Sequence, residues 1–513
     1  MGKHRRGKAT DGAWRPITFL CFFAGCMYYF MPPPAAPEVI DSDGFRDPKG
    51  RNGYCSARSI GDEGHPPHKK AKLVAVALVI RHGDRSAIHK LPNVSDFSGC
   101  PHAARASAGG SKDGDVLLNK GFVVRRIADG RPLTRRVPPP LEDVGSDGSC
   151  IPGTLTREGF YQHWHIGRHL ARAYSPLLRE LALKAGTIAR AQPRGSPTSK
   201  PPIYVRSTDY GRTMLSAAAL LQAMTRDYMA LRPSRTRPLA LYTEEDEAGD
   251  IMHGVGLASS TKQRQGDALE ATSGGAAETS RQGACKRAAR LALEQIRAWQ
   301  PSYPDAWRRF ALLFGAGIQT TAAADALYAR ACHDVGPPCS QTRGGCVDEL
   351  MQRQIWRDAD SFYCSRFSGA EGGDKASRLS MLPLLKELFA RLEAAAAPSS
   401  DVPRFVLFSG HDTVIAPLLA ALGGLRAPGA CRWPPYASHV AFELWETRWP
   451  LGERRQWVRV VFNGRAITQH LLPCESAAST LAAGGAEYCR LDRLQEHLRT
   501  LGREFDEGCR RDE

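Results

Sequence analysis

The sequence is poor in acidic residues and in aromatic residues, and no internal repeat is evident. Its 513 residues include 53 Asp and Glu against 69 Lys and Arg, a formal net charge of +16, and 8% of them are aromatic. Because 42% of the residues are hydrophobic, the chain can bury a large core, which excludes fibrous and wholly disordered proteins. The positive charge favours anionic partners, namely phosphoryl compounds, acidic glycans, nucleic acid or an anionic membrane face, without choosing among them.

The sequence also lacks an apolar run as long as an ordinary membrane span, although one run near the N-terminus comes close. Ile17 to Met31 is an uncharged run of fifteen residues that follows a basic segment and ends at three prolines. As a helix it would reach about 22 Å, short of the usual hydrocarbon core of about 30 Å but closer to that of early secretory membranes. A cleaved signal peptide is the alternative. The best candidate for its cleavage site, the small-residue segment Pro34–Ala36, contains a proline and is followed by another, which disfavours cleavage. The pattern predicts a cytoplasmic tail (1–15), a signal anchor (16–31) and a luminal remainder, a single-pass type II arrangement.

Closely spaced cysteine pairs of the zinc-binding kind are missing as well. Two of the 14 cysteines lie in the apolar run, and the other twelve are scattered from Cys55 to Cys509. Scattered cysteines behind a secretory signal are typical of disulfides, so we expect the twelve to pair with one another. The C-x2-C spacing of structural zinc sites is absent from the group Cys332, Cys339, Cys346 and Cys364. The one sequon predicts glycosylation at Asn93.

The body of the chain follows an α/β pattern. Residues 32–70, rich in proline, glycine and charge, predict a luminal stem, and a catalytic domain is expected over 71–513. Nearly continuous apolar runs predict strands buried on both faces of a parallel sheet, at Lys72–Ile80, Pro202–Val205 and Phe405–Phe408. Helical periodicity follows the last two strands, over Thr213–Leu221 and Val414–Leu422.

Two other regions modify this plan. Residues 285–335 and 376–397 are mostly Ala, Leu, Arg and Glu at helical spacing, which predicts a helical insertion over about 222–400. Ser259–Gly283 has low complexity and predicts a surface insertion without chemistry. The expected architecture is a three-layer α/β sandwich with an inserted helical cap subdomain.

The sharpest local feature is Arg81-His82-Gly83-Asp84-Arg85, directly after the first strand. The ends of strands are where α/β sheets bind ligands. An imidazole between two guanidinium groups is costly to bury unless an anion joins them, and a phosphate dianion would offset that cost. Cationic surroundings favour a neutral His82, whose free nitrogen can attack phosphorus while the arginines hold phosphoryl oxygens.

Two more polar segments follow the other predicted strands. Arg206-Ser207-Thr208-Asp209 offers another guanidinium and a helix cap. Ser409-Gly410-His411-Asp412-Thr413 offers a second histidine and an acid at a helix N-terminus, where backbone N–H groups favour anions. Phosphoryl transfer needs charge stabilisation, an in-line nucleophile and a proton for the leaving oxygen, and the three segments supply these without a metal or other cofactor.

Each segment alone carries little weight, because Arg-His-Gly is a common tripeptide and a lone His-Asp pair is usually a surface or capping feature. Their shared place at the ends of separate strands favours a functional site. The remaining histidines match exposed or helix-surface positions and are left out of the site, among them His65, His68, His89, His163, His165 and His169.

With these segments the chain resembles the histidine acid phosphatases, a branch of the phosphoglycerate-mutase-like fold with an early R-H-G-x-R-x-P and a late H-D signature. Arg81–Arg85 and His411–Asp412 match the signature, although Ala87 replaces its proline. Arg206–Asp209 is similar to the family's R-S-T-D segment, and Leu155–Gln162 to its L-T-x-x-G-x-x-Q helix start. The resemblance covers residues 71 to about 465.

The resemblance implies a role for each matching residue. His82 would attack phosphorus and form a phosphohistidine. Asp412 would protonate the leaving oxygen and then activate water. The phosphoryl oxygens would be held by the remaining residues of the set, Arg81, Arg85, Arg206 and His411.

Within the family, several segments are similar to the branch that acts on phosphorylated xylose in the linkage region of proteoglycans. They are Gly64–His68, Cys332–Asp348, Phe442–Trp445 and Asn463–Gly464. This resemblance implies removal of the 2-O-phosphate from xylose in the Golgi, which promotes glycosaminoglycan elongation, with Golgi glycosyltransferases as partners.

Two other functions are open on sequence alone. One is a secretory acid phosphatase for phosphotyrosine, lysophospholipid or inositol phosphate. The other is an inactive luminal protein that binds sulfated glycan through a basic segment, which is also typical of a solvated loop. That segment contains Lys120, Arg125, Arg126, Arg131, Arg135 and Arg136. Nucleic acid is not expected as a partner, because no recognition motif is present.

Overall fold

The structure is a computed structural model that describes most of the chain after residue 52. The described residues are 53–57, 61–67, 69–94, 121–133, 152–191, 201–245, 250–253, 285–368, 372–397, 401–448, 454–475 and 487–510. The predicted cytoplasmic tail, signal anchor and first part of the stem lie outside them, as does the low-complexity stretch Ser259–Gly283. Within these ranges, none of the helices combines the length and the apolar character that a membrane span needs.

The described residues form nine strands and ten α-helices. The strands are β1 (Lys72–Arg81), β2 (Phe122–Arg126), β3 (Ile203–Ser207), β4 (Leu239–Thr243), β5 (Phe405–Gly410), β6 (His439–Arg448), β7 (Arg454–Phe462), β8 (Arg465–Ala466) and β9 (Cys489–Arg490). The helices are α1 (Arg157–Ala173), α2 (Ser175–Ala191), α3 (Gly211–Thr225), α4 (Lys286–Ala298), α5 (Pro304–Phe314), α6 (Thr320–Cys332), α7 (Glu349–Ser368), α8 (Gly373–Ala396), α9 (Asp412–Ala421) and α10 (Leu491–Phe505). All three predicted strands and both predicted helices are present with slightly shifted ends, so the α/β class is confirmed.

The strands form one sheet in the order β2-β4-β3-β5-β1-β6-β7-β8, with β9 beside β7. From β2 to β1 neighbouring strands are parallel. β6 is antiparallel to both β1 and β7, and the short connection from β6 to β7 requires an antiparallel pair. The sheet is therefore mixed, and the expected parallel pairing is found in only one half of it.

β1 is buried on both faces, as its apolar run predicts. Ala77 and Val79 pack in a core with side chains of α5, α8 and α9. Leu78 and Ile80 point to the other face and pack in a second core with α1, α2 and α3. Each fully buried Leu or Ile side chain contributes about 1.5–3 kcal/mol relative to an exposed one, which holds this strand at the centre of the molecule. Helices thus cover both faces of the sheet.

Two strands at one side of the sheet, β2 at the edge and β4 next to it, are absent from the sequence prediction. β2 lies in the basic segment that we interpreted as a solvated loop, but its Val124 is buried and its Arg126 pairs with Glu245 at 2.8 Å. β4 lies inside the predicted helical insertion of residues 222–400. The helices of that insertion, α4 to α8, occupy only residues 286–396. The alternation of apolar and polar residues that marks a strand cannot be recognised in either sequence, because β2 carries adjacent charges and β4 is short.

The folded body begins before residue 71, so the predicted stem is too long. Tyr54 is completely buried, and both carboxylate oxygens of Glu63 lie 2.9 Å from a histidine ring nitrogen, one of His439 and one of His169. Although burial opposes it, these hydrogen bonds lower the pKa of Glu63. His169 is therefore an internal partner and not the surface residue that its sequence context suggests.

The expectation of disulfides is confirmed for the ten cysteines that the structure describes after residue 52. The five bonds are Cys55–Cys332, Cys285–Cys509, Cys339–Cys346, Cys364–Cys431 and Cys474–Cys489. The four cysteines that we considered for zinc are all engaged in them. Cys100 and Cys150 lie outside the described residues.

Candidate active site

The three polar segments predicted from the sequence meet at one edge of the sheet. β1, β3 and β5 are parallel neighbours, so their carboxyl ends lie side by side. Arg81 pairs with Gly410 across β1 and β5, and Ser207 pairs with Ser409 across β3 and β5. The residues that follow these positions are therefore brought together, although more than three hundred positions of sequence separate the first from the last.

His82 is held as a neutral imidazole with a defined tautomer. Its Nδ1 lies 2.8 Å from the carbonyl oxygen of Gly83, and since a carbonyl only accepts, Nδ1 carries the proton and Nε2 keeps the lone pair. Burial lowers the pKa of His82 well below its usual value, and the charges of Arg212, Arg81 and Arg85 lower it further. An unprotonated Nε2 is what a nucleophilic histidine requires.

The loop that carries His82 is fixed by the start of α1. A Cβ on Gly83 would lie 2.3 Å from the carbonyl oxygen of Gly159, so glycine is needed where loop and helix touch. Thr156 caps the helix by accepting from the Gly159 N–H at 3.1 Å. The Gln162 amide oxygen accepts from the Asp84 N–H at 2.8 Å. Thr156, Gly159 and Gln162 are three of the specified positions of the L-T-x-x-G-x-x-Q segment, and they fix the helix start against the loop that carries His82.

His163, on the same helix, is not the exposed or helix-surface residue that the sequence predicts. It is completely buried, and its Nε2 lies 2.9 Å from the carbonyl oxygen of Arg81. Burial lowers the pKa of His163 to about 3. His163 is therefore neutral, and its Nε2–H donates to the backbone carbonyl at the end of β1.

Arg81 and Asp412 face each other beside His82. Arg81 Nη2 lies 2.9 Å from Asp412 Oδ2, and Trp433 Nε1 donates to the same oxygen at 2.7 Å. Asp412 Oδ1 accepts from the Thr413 N–H at 2.7 Å. The acid is therefore oriented by three donors. Trp433 lies in a loop without a motif, so no signal in the sequence pointed to it.

Arg85 is paired with a carboxylate from the helical insertion. Its Nη2 lies 2.8 Å from Oδ1 of Asp325 on α6, and Asp325 Oδ2 accepts from the Ile88 N–H at 2.9 Å. No sequence pattern points to Asp325, because an aspartate in an alanine-rich helix has no distinguishing feature. The insertion therefore contributes directly to the site.

Arg206 makes contacts that differ from those the resemblance implies. Its Nη1 lies 2.8 Å from Glu387 and its Nη2 lies 2.9 Å from Asp250, so both terminal nitrogens are engaged by carboxylates. Six positions later, Arg212 in the first turn of α3 has no carboxylate partner among the described residues. Burial, followed by the charge of Arg85, lowers the pKa of Arg212 to about 10. The cation that acts on His82 from this part of the chain is therefore Arg212 and not Arg206.

His411 completes the cluster. Its ring centre lies 5.5 Å from that of His82, and its Nε2 lies 3.0 Å from Thr208 Oγ1, a contribution of the second predicted segment. Burial and the charge of Arg212 lower the pKa of His411 well below its usual value. Neutral His411 can offer an N–H to an oxygen anion without adding a further positive charge.

The family of the protein follows from a comparison with known families. A family model for the histidine phosphatase superfamily (branch 2) matches residues 72–295 and 327–463. The match spans more than half of the chain, so the chain belongs to this superfamily and is a histidine acid phosphatase. The matched ranges contain all three polar segments of the candidate site, Arg81–Arg85, Arg206–Asp209 and Ser409–Thr413.

Curated relatives carry more specific names. The 2-phosphoxylose phosphatase 1 of Homo sapiens is 26% identical over 432 residues, 82% of this chain and 77% of that protein. The protein of the same name from Danio rerio is 26% identical over 464 residues, 85% and 79% of the two chains. Among solved structures, the phytase from D. castellii has a TM-score of 0.48 at 15% identity, covering 93% of this chain and 90% of its own.

The lowered pKa of His82 predicts activity that persists in acid. Because the pKa is lowered, the imidazole stays neutral at pH values where an ordinary histidine is protonated. We expect the acid limb of kcat/KM, corrected for ionisation of the substrate, to lie well below pH 6.5. Arg212→Ala should move that limb upward, because it removes the strongest neighbouring positive charge. A wild-type limb near pH 6.5 that Arg212→Ala leaves in place would contradict this assignment.

Substitution of Arg206, in the second polar segment, and of Arg212, in the first turn of α3, should have different effects. Arg212→Ala should lower kcat/KM by about 100-fold or more without loss of stability, because it removes a phosphate donor that no carboxylate needs. Arg206→Ala should cost about 3–5 kcal/mol of unfolding free energy, because it leaves Glu387 and Asp250 without their cation. Urea unfolding and steady-state kinetics on both variants distinguish the roles. The reverse pattern would return the phosphate-binding role to Arg206.

Proposed function

We propose that this phosphatase removes the 2-O-phosphate from xylose in the glycosaminoglycan–protein linkage region through a phosphohistidine at His82. The relatives named 2-phosphoxylose phosphatase 1 support the substrate. The chemistry rests on one observation. Three guanidinium groups surround a neutral imidazole, and among the described residues only Arg81 and Arg85 have carboxylate partners, which leaves Arg212 to be neutralised by an anion.

Binding of a phosphate monoester would complete this charge balance. An uncompensated buried cation is costly, and a phosphoryl group supplies both the negative charge and several acceptor oxygens. Guanidinium groups match phosphoryl oxygens in bidentate geometry, and His411 adds a neutral donor. The same donors stabilise the charge that spreads over the equatorial oxygens during transfer.

The first step forms the covalent intermediate. Nε2 of His82 attacks phosphorus in line, and the bond from phosphorus to the sugar oxygen breaks as the N–P bond forms. Phosphate takes the place of Asp412 on Arg81, and Asp412, which takes up a proton when that ion pair opens, gives the proton to the departing oxygen, so the sugar leaves as a neutral alcohol. The Gly83 carbonyl, which accepts from Nδ1–H, stabilises the positive charge that the ring acquires.

The second step releases phosphate. Asp412, now a carboxylate, takes a proton from water as that water attacks phosphorus. The N–P bond breaks, and its electron pair returns to Nε2 of His82. Inorganic phosphate leaves, and Asp412 releases that proton as it pairs again with Arg81, so the cycle closes without net consumption of protein groups.

The proposal includes the Golgi lumen as the place of action, with residues 16–31 as the membrane anchor. Five disulfides among the described residues support an oxidising compartment. Asn93, predicted to be glycosylated, is exposed. A glycan-binding role without catalysis has less support, because the chain belongs to a phosphatase superfamily and the residues that match its signature lie together in the candidate site.

The covalent route predicts labelled protein during turnover. Rapid acid-free quenching of the full chain with ³²P-labelled substrate should trap acid-labile phosphate on His82, and His82→Ala should lose activity by more than about 10⁴-fold. Asp412→Ala should lose roughly 100-fold or more on a sugar phosphate but much less on p-nitrophenyl phosphate, whose leaving group needs no proton. Wild-type protein that turns over without ever acquiring label would exclude the intermediate.

The proposed substrate is tested by competition between phosphate esters. We expect kcat/KM for a xylose-2-phosphate linkage tetrasaccharide on a peptide to exceed that for phosphotyrosine, lysophosphatidate and inositol hexakisphosphate by at least about tenfold. His82→Ala serves as the control for contaminating phosphatases. Equal or higher kcat/KM for one of the other esters would keep the reaction and replace the substrate.

A further inference from the structure

A short segment ahead of the region matched by the family model enters the active site. In Gly53–Ala57, the side chain of Tyr54 is completely buried, and its hydroxyl oxygen accepts from Arg81 Nη2 at 2.8 Å. The same nitrogen lies 2.9 Å from Asp412 Oδ2. Tyr54 therefore shares one guanidinium nitrogen with the proposed general acid, although it lies outside residues 72–295 and 327–463.

A disulfide fixes this segment to the helical insertion. Cys55 is bonded to Cys332, the last residue of α6. The Tyr54 ring also stacks on Tyr328 of the same helix, with 3.8 Å between ring centroids. One turn of α6 thus determines where Tyr54 lies, by a covalent bond and by an aromatic contact.

The residue that follows Cys332 also contacts the loop that carries His82. His333, which follows Cys332, has its Nε2 2.8 Å from Asp84 Oδ2, and both side chains are buried. Arg81 and Asp84 stand on the two sides of His82 and Gly83. The Cys55–Cys332 disulfide is therefore next to two residues that contact the chain around His82. Tyr54 contacts Arg81, which precedes His82, and His333 contacts Asp84, which follows it.

Backbone hydrogen bonds tie the segment to further parts of the site. The Ala57 N–H donates to the Tyr436 carbonyl at 2.8 Å, and the Tyr436 N–H donates to the Tyr54 carbonyl at 2.9 Å. The Gln162 amide donates to the Cys55 carbonyl at 2.8 Å while its oxygen holds the Asp84 N–H. The segment is therefore packed as a part of the site and not as a linker.

We propose that Gly53–Ala57 is a positioning element of the active site, in which Tyr54 orients Arg81 toward phosphate and the Cys55–Cys332 disulfide holds Tyr54 in place. The inference rests on the proposed function in one respect, the role of Arg81 as a phosphate ligand. Arg81 Nη1 is bound to the Pro434 carbonyl, so with Nη2 on Tyr54 the plane of the guanidinium is set before substrate arrives. Loss of the hydroxyl would leave that plane less defined.

Tyr54→Phe in the full chain tests the element, with Tyr174→Phe as the matched control. Tyr174 is also completely buried and also bonds a charged partner, Glu443, at 3.0 Å, but it packs on Phe405 at the opposite end of the sheet. A hydrogen bond to a charged group corresponds to about tenfold or more in affinity. We expect Tyr54→Phe to lower kcat/KM on p-nitrophenyl phosphate and to raise the inhibition constant of inorganic phosphate, each about tenfold. Tyr174→Phe should change neither.

The role of the disulfide is tested by a double-mutant cycle. Cys55→Ser with Cys332→Ser should weaken phosphate inhibition as Tyr54→Phe does, and adding Tyr54→Phe should then have little further effect, because both changes release the same side chain. If the cysteine variant does not fold, the comparison of Tyr54 with Tyr174 still decides. Wild-type kinetics in Tyr54→Phe, or additive effects in the cycle, would overturn the proposal. Use of p-nitrophenyl phosphate makes the outcome independent of the natural substrate, and His82→Ala reports separately on the proposed chemistry.

Discussion

The site depends on one electrostatic constraint, the burial of several guanidinium groups around an uncharged imidazole. Like charges at this density raise the free energy of the fold unless anions accompany them. The protein supplies two such anions from distant parts of the chain, Asp412 at the start of α9 and Asp325 from the helical insertion. The third cation, Arg212, has no such partner among the described residues, and this imbalance favours a phosphoryl ligand. In the proposed function, phosphate binding and catalysis therefore use the same excess of positive charge.

The need to neutralise these guanidinium groups also gives the helical insertion a direct role in the site. α6 provides Asp325 to Arg85, Tyr328 to Tyr54 and Cys332 to the cross-link. Three of its successive turns are therefore tied to the nucleophile loop or to the segment that supports it. A shift of α6 would change the pairing of Arg85 and the packing of Tyr54 together, so the geometry of the site is coupled to the position of this helix.

The sequence predicts the centre of the candidate site better than its surroundings. His82, His411 and Asp412 could be grouped because they follow the ends of apolar strands, and parallel pairing of those strands brings them together. The pattern favours Arg206 over Arg212, because Arg206 stands at the end of an apolar strand, and only the contacts with Glu387 and Asp250 show that its guanidinium is already engaged. Asp325, Trp433 and Tyr54 carry no local signal, because their roles come from contacts across hundreds of positions. His163 likewise has the sequence context of a surface residue. It is completely buried because its own helix, α1, packs on the end of β1.

The spacing of the cross-links has a consequence for the integrity of the chain. Cys55–Cys332 spans 277 positions and Cys285–Cys509 spans 224, and the two loops overlap. A proteolytic cut within the low-complexity stretch Ser259–Gly283 would therefore leave two fragments still covalently joined by the first bond. The nicked protein would keep its catalytic groups on one connected molecule, and the fragments would separate only when a reductant opened that bond.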